Sequence, residues 1–224
     1  MKPPKLSKRL QAAVTLVGHT EALADIGCDH GKLCVYCLAT GAADKAVGVD
    51  ISAPSLAKAE RLAAEYDLPL QTRVGDGLKP LGTDEVETAV IAGMGGMEIA
   101  RILATAPFAP PRLVLVPHKN TDAVTRYLSL AGYTVKADFV LLDEGHWYRA
   151  LAAEGAAARP VGADWQTEID SLSPWENWYV GAQNADNPEY TAYKAERSEK
   201  LTRIVRAGNR DERVAAEIEY LNRI

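Results

Sequence analysis

A doubly wound, mostly parallel α/β sheet of seven strands, one of them antiparallel, with a helical hairpin after it, is the fold the sequence predicts. Three observations predict it. Short apolar runs alternate with helical patterns from Ala22 to Leu130. Acids and glycines collect at the ends of those runs, where open α/β sheets bind ligands. After about Gly155 the composition turns Trp-rich, and two long helical stripes close the chain. At 224 residues there is room for one α/β domain and a smaller appendage.

Leu6, Leu10, Ala13, Val14 and Val17 keep helical spacing and predict a helix ending near Gly18. Ala22–Ile26 is a buried strand, followed by a helix from about Gly31 to Thr40. Ala46–Asp50 is the second strand. Ser52 can cap the next helix, which carries Leu56, Ala59, Leu62 and Ala63 and stops near Asp67, before Pro69. Leu70–Val74 is the third strand and ends in Gly75-Asp76-Gly77. Thr88–Ala92 is the fourth and ends in Gly93-Met94-Gly95-Gly96, with a helix through Ile99, Ile102 and Leu103 behind it. Leu113–Val116 is the fifth, then Pro117-His118-Lys119-Asn120 and a helix carrying Val124, Tyr127, Leu128 and Leu130. Thr134–Leu142 and Trp147–Ala153, joined by Asp143-Glu144-Gly145-His146, form a hairpin.

Ala156–Gly162 reads as a linker, and Trp165, Trp175 and Trp178 mark the segment after it. Tyr190, Tyr193, Arg197, Leu201 and Ile204 share one helical stripe, which Gly208 can terminate; Val214, Ile218 and Leu221 share another. The two suit an antiparallel helical hairpin.

The net charge of −5 weakly opposes nucleic-acid binding, but distribution matters more than the sum. Lys2, Lys5, Lys8 and Arg9 form an acid-free basic cluster. Lys194, Arg197, Lys200, Arg203, Arg206, Arg210 and Arg213 form a second, interleaved with acids, as a solvated helix face would be. Apolar runs fall short of the roughly 20 residues a membrane span needs. Cys34 and Cys37 form a CxxC inside a helix rather than at its start, and no second pair completes a zinc site, so they read as buried helix residues in a reducing cytoplasm.

The stretch Ala24-Asp25-Ile26-Gly27-Cys28-Asp29-His30-Gly31-Lys32 has the setting of a nucleotide-binding turn, yet Asp29 and Lys32 stand where a dinucleotide fingerprint needs glycines. A carboxylate there repels a pyrophosphate. A cofactor with cations and no phosphate tolerates it, and S-adenosylmethionine is one. Asp50, within Gly48-Val49-Asp50-Ile51-Ser52, can accept both ribose hydroxyls, and Asp76 can accept an adenine amino group. Gly93 to Gly96 lets backbone approach a ligand closely. Met94 has a packing alternative, and His30 can bond locally instead of touching a ligand.

Leu6-Ser7-Lys8-Arg9-Leu10, Asp25-Ile26-Gly27-Cys28-Asp29-His30, Arg73-Val74-Gly75-Asp76-Gly77-Leu78 and Ile91-Ala92-Gly93-Met94-Gly95-Gly96 together resemble the bacterial tRNA (adenine-22-N1)-methyltransferase family, over essentially the whole chain. The resemblance implies a Rossmann-like methyltransferase domain with an N-terminal helix over residues 1–156, and a coiled-coil-like helical domain, contacting tRNA, over 157–224. It implies S-adenosylmethionine held by Arg9, Asp25, Gly27, Asp29, His30, Gly31, Asp50, Ile51, Gly75, Asp76, Gly77, Ala92, Gly93, Met94 and Gly95, and a reaction centre of Asp29, Gly93, Met94, Asn120 and Tyr148. It further implies a cytoplasmic monomer with tRNA as partner and with neither metal nor membrane.

The chain departs from the family's pattern in three places. Val116-Pro117-His118-Lys119-Asn120 stands where the family tends to show Gln-Pro-Asn, on the acceptor side; Cys28 replaces a usual Thr and Gly31 a usual Ala. A small-molecule methyltransferase, a nicotinamide enzyme (disfavoured by Asp29 and Lys32) and a non-catalytic RNA-binding module that retains a cofactor pocket stay open on the residues alone.

Overall fold

The central strands alternate between two apolar cores, and that period of two organises the architecture. The computed structural model describes residues 2–155, 158–162, 164–172, 187–208 and 210–223. In β1 (Thr20–Ile26), Leu23 enters one core while Ala24 and Ile26 enter the other. Strand β4 (Thr88–Ala92) divides Val90 from Ala89 and Ile91, and β5 (Arg112–Val116) divides Val114 and Val116 from Leu113 and Leu115. A sheet apolar on both faces needs cover on both. Helices α1 (Lys8–Val17) and α2 (Lys32–Thr40) pack into one core; α4 (Gly96–Ala104) and α5 (Thr121–Ala131) pack into the other.

Strands β2 (Ala43–Asp50) and β3 (Gln71–Val74) extend the sheet beyond β1, joined by α3 (Ala53–Glu65). Ser52 caps α3 as expected, its Oγ accepting the Ser55 N–H at 3.3 Å. Strands β6 (Thr134–Asp143) and β7 (His146–Glu154) complete an order β3-β2-β1-β4-β5-β7-β6. Only β7 runs against its neighbours, pairing antiparallel with both β5 and β6. This is the predicted seven-stranded, doubly wound sheet. The hairpin turn is tighter than the sequence suggests: Asp143 pairs with His146, leaving Glu144 and Gly145, both at positive φ (49° and 77°), as a two-residue loop.

Two features lie outside the sequence expectations. Helix α6 (Trp165–Ser171) inserts a fully buried Ile169 into the α4–α5 core. The described part of the supposed linker is pinned: Arg159 N–H donates to the Ala131 carbonyl at 3.3 Å and Gly162 N–H to that of Ala104 at 3.1 Å. Trp175 and Trp178 lie outside the described residues, as do Ala156 and Ala157 at the expected domain boundary.

Helices α7 (Pro188–Arg206) and α8 (Glu212–Arg223) form the expected hairpin, clamped by a bidentate Arg197–Glu217 pair at 2.6 and 2.8 Å. The start of α7 also covers the exposed edge of β6. Asn187 Nδ2 donates to the Val140 carbonyl at 3.3 Å, and the Leu142 N–H donates to Glu189 at 3.3 Å. Of the basic set, Arg197 is thus bound to Glu217, whereas Lys200, Arg206 and Arg210 are exposed; the Arg213 side chain lies outside the description.

Beneath this contact Arg149 and Asp138 form a side-chain ion pair that is nearly inaccessible to solvent. Removing one member of such a pair leaves a buried charge. Arg149→Met is expected to cost about 3–5 kcal/mol in urea denaturation, and the double variant Arg149→Met/Asp138→Leu to recover most of it.

Candidate active site

The chain runs outward from β1 to β2 and β3, then returns to β4 on the other side of β1. At such a switch point the turns beyond the two strand ends diverge and leave a crevice. A cleft of about 250 Å³ lies there. Asp25, Gly27, Cys28, Asp29 and His30 line it from the first turn, Lys32 and Leu33 from α2, Ala92 from β4, and Lys5, Ser7, Arg9 and Leu10 from the N-terminal segment.

The first turn reverses through Gly27, Asp29 and Gly31, at φ 73°, 47° and 67°. Aspartate is among the few side chains that enter this left-handed region at modest cost. A Cβ at Gly27 would collide with the methyl of Met94, and one at Gly31 would press within 2.6 Å of the Ala59 Cβ. Met94 is therefore packed over the first turn, which joins the fourth-strand loop to the cleft.

Asp50 ties two turns together. Its Oδ2 accepts the Asp29 N–H at 3.0 Å and its Oδ1 the Ser52 N–H at 2.9 Å. Each oxygen keeps a lone pair for a ligand hydroxyl. Beside it Ile51 is 77% exposed, and Val74, paired with Asp50 in the sheet, is 59% exposed. These two bare apolar side chains flank the ends of β2 and β3.

Asp76 is already engaged. Arg101 grips it through Nη2–Oδ1 at 2.6 Å and Nη1–Oδ2 at 3.1 Å, and Lys79 adds a bond to Oδ2 at 2.6 Å. These bonds hold its carboxyl well below the usual carboxylate range. Oδ1 alone keeps an open lone pair. Gly77 (φ 63°) lies against Ile102 of α4.

Asp25 is the opposite case. It is buried, and burial pushes its carboxyl up to about 7, with the Cys34 thiol at 3.7 Å opposing the rise and the Asp50 charge adding to it. His30 bonds locally: Lys58 Nζ donates to its Nε2 at 3.0 Å, which leaves Nδ1 to face Asp29 Oδ2 at 3.4 Å. All three cysteines are buried with free thiols; burial pushes Cys37 up to about 12 and raises Cys28 and Cys34 as well. They are packing residues, not nucleophiles. Among the described residues no cluster of three His, Cys, Asp or Glu side chains could hold a metal, and no helix is long and apolar enough to cross a membrane.

A second, wider groove of about 1390 Å³ adjoins the first. Gly93, His118, Lys119, Asn120, Trp147, Tyr148 and side chains of α7 and α8 line it. Arg9 lines both spaces. Its guanidinium lies 5.6 Å from the Tyr148 ring centroid and donates to the phenol oxygen at 3.3 Å, while its backbone N–H donates to Asp143 at 3.2 Å.

The loops after β4 and β5 are zipped together by backbone. Gly93 N–H donates to the Val116 carbonyl at 3.1 Å, His118 N–H to that of Met94 at 3.0 Å, and Gly96 N–H to that of Lys119 at 2.7 Å. Asn120, at φ 53°, starts α5 without a side-chain cap. The structure thus brings Arg9, Asp25, Gly27, Asp29, His30 and Ala92 onto one cleft, and Gly93, Asn120 and Tyr148 onto the groove beside it. Gly31 and Gly95 support the turns, while Ile51, Gly75, Asp76 and Gly77 stand further along the strand ends. Sequence reasoning missed Ser7, whose Oγ is buried without a partner among the described residues; a Ser at a helix start that fails to cap is invisible before the fold is known.

A methyltransferase-domain family model matches residues 6–151. The tRNA (adenine(22)-N(1))-methyltransferase of Bacillus subtilis is 31% identical over 159 residues, covering 69% of this chain and 67% of that protein. The crystal structure of the Bacillus subtilis tRNA methyltransferase superposes with a TM-score of 0.72 at 26% identity, over 98% of each chain. A Streptococcus pneumoniae structure, described as a putative tRNA methyltransferase in complex with S-adenosyl-L-methionine, superposes with a TM-score of 0.76 at 23% identity, over 98% of this chain and 99% of that one.

The raised Asp25 has a measurable consequence. Its folded form holds a proton up to about pH 7, whereas an unfolded aspartate loses it near 3.8. The stability it contributes is full below 3.8 and is lost as pH rises to about 7. Asp25→Asn is therefore expected to match the parent near pH 4 in urea denaturation and to exceed it by about 2–4 kcal/mol at pH 8. A difference independent of pH would contradict the buried, protonated carboxyl.

Proposed function

The chain belongs to the bacterial tRNA (adenine(22)-N(1))-methyltransferase family, and from that premise we propose that it transfers a methyl group from S-adenosylmethionine to N1 of adenine 22 in tRNA. One observation carries the reading. The switch-point cleft offers carboxylates, Asp25 and Asp29, where a phosphate cradle would be, and it adjoins the wide groove at Arg9. The first space suits a small cationic cofactor, and the second is broad enough for a nucleotide still attached to its chain.

The donor set fits that cofactor. Asp50 has two oriented acceptors for the ribose diol, and Ile51 and Val74 supply apolar surface for the adenine. The Asp76 Oδ1 lone pair can accept its amino group, and the Gly75–Gly77 backbone lies alongside. Asp25 and Asp29 complement the ammonium. Ser7, Arg9 and Lys5 offer donors to the carboxylate. Gly27, His30, Gly31, Ala92, Met94 and Gly95 shape the walls.

When bound, S-adenosylmethionine supplies a methyl group on cationic sulfur: the N1 lone pair forms the new bond, the C–S electron pair stays on sulfur, and one positive charge passes to the base. The chain's task is then positioning and electrostatics. The Tyr148 ring offers a face to a planar base that becomes a cation. Gly93 leaves the space beside it open. Asn120 lines the same groove, and Asp29 lines the cofactor cleft with its side chain exposed. The target base, reached at its Watson–Crick edge, must leave its stack first.

Residues 1–156 act as the methyltransferase domain, with α6 packed onto its α4–α5 core, and α7 and α8 act as the helical part that contacts tRNA. Lys119 and Lys200, exposed groove cations from two different elements, are candidates for phosphate contacts. The protein is expected to work as a cytoplasmic monomer, where its substrate resides.

Incubating unmodified tRNA with labelled S-adenosylmethionine should yield 1-methyladenosine on nucleoside analysis; its absence would remove the reading. Asp50→Ala should weaken cofactor binding by at least about tenfold in calorimetry, since it deletes a charged acceptor. Lys119→Glu and Lys200→Glu should each weaken tRNA binding and lower the log Kd–log salt slope by about one, with cofactor affinity unchanged.

A further inference from the structure

We propose that His118 recognises the amino group of the target adenine through its Nε2. The assignment rests on the tRNA reading above and concerns a residue where this chain departs from its family's pattern.

His118 is held twice by the loop after β4. Its backbone N–H donates to the Met94 carbonyl at 3.0 Å, and its ring Nδ1 lies 3.1 Å from the Gly93 carbonyl. A carbonyl oxygen only accepts, so Nδ1 carries the hydrogen. In the neutral ring that leaves Nε2 as an acceptor. Nothing among the described residues bonds Nε2, and the exposed side chain lines the wide groove beside Gly93. The tautomer is thus set by a backbone bond, and a directed lone pair faces the space where a base would enter.

Adenine presents a lone pair at N1 and, next to it, an amino donor at N6. Guanine presents the reverse, a hydrogen at N1 and an acceptor at O6. An acceptor fixed next to the reaction centre pairs with the first and opposes the second. The bond also strengthens during reaction. As N1 takes the methyl, positive charge spreads into the amino group, and a neutral acceptor gains from that while keeping no proton. A contact stronger in the transition state raises kcat rather than lowering KM. Removing an acceptor from a partner that becomes charged is expected to slow transfer about 10- to 100-fold.

Two side chains separate the roles of the ring nitrogens. In His118→Asn the amide can keep the bond to Gly93 but has nothing at the Nε2 position. In His118→Gln the amide oxygen reaches that position. The full chain is assayed on tRNA carrying either adenine or unsubstituted purine, which lacks the amino group, at the target site. On adenine tRNA, His118→Asn should lower kcat about 10- to 100-fold with KM for tRNA nearly unchanged, and His118→Gln should restore most of the loss. On purine tRNA, the parent and His118→Asn should be equally slow. Losses that multiply, so that His118→Asn slows purine tRNA as much as adenine tRNA, would overturn the assignment alone. Absence of transfer by the parent chain to adenine tRNA would overturn the tRNA reading and this assignment with it.

Discussion

A close approach of two backbones governs the reactive side of this molecule. Gly96 begins α4 directly beneath the Lys119–Asn120 peptide, and any side chain at Gly96 would collide with the Asn120 carbonyl. Because that space is open, the Gly96 N–H can donate to the Lys119 carbonyl, and the loops after β4 and β5 close into one ladder. Gly93, His118, Lys119 and Asn120 all take their positions from it. The ladder is made of main chain, so it tolerates changes in the side chains it carries. The groove therefore keeps its floor whatever side chains Pro117-His118-Lys119-Asn120 carry above it.

The cofactor side obeys a different constraint, the placement of negative charge. Three aspartates stand at neighbouring strand ends, in three states. Asp25 is buried and resists ionisation below about pH 7. Asp50 is half-buried and oriented by two backbone N–H groups. Asp76 is pinned as an anion by Arg101 and Lys79. A resident anion in the position of Asp25 would add to the repulsion with Asp50. Binding of a cation offsets the desolvation that keeps Asp25 protonated, so the arrangement favours a cationic ligand over a neutral one of the same shape.

How much of this the sequence discloses depends on whether the cause is local. Strand positions are legible because each is a short continuous apolar run; the opposite cores entered by Leu23 and Ala24, or by Val114 and Leu115, then follow from parity alone. Asp50, Asp29 and Gly93 are legible as site candidates because the C-terminal ends of parallel strands share one edge of any doubly wound sheet, where ligands bind. Helix α6 is not, since its seven residues carry only Trp165 and Ile169 as apolar side chains, and one i,i+4 pair is too little to set up a period. The Arg101–Asp76 pair spans 25 residues and joins a helix to a loop, so no spacing rule announces it. The same is true of Arg9 on Tyr148, 139 positions apart. Contacts of that kind become visible only when topology brings the ends together.

Arg9 shows what such a contact adds. A guanidinium is planar, delocalised and cationic, and so is a methylated adenine. Arg9 rests on the Tyr148 face at 5.6 Å, at the boundary between the two spaces. On the proposed function, a base that takes this face of the ring displaces it. While the base is neutral the exchange is unfavourable, because cation–π attraction favours the arginine. It tips toward the base as methylation gives the base its own charge. On the proposed function, the ring face would discriminate between the reactant and the charge-bearing states that follow it, which is the kind of difference that accelerates a reaction rather than tightening substrate binding.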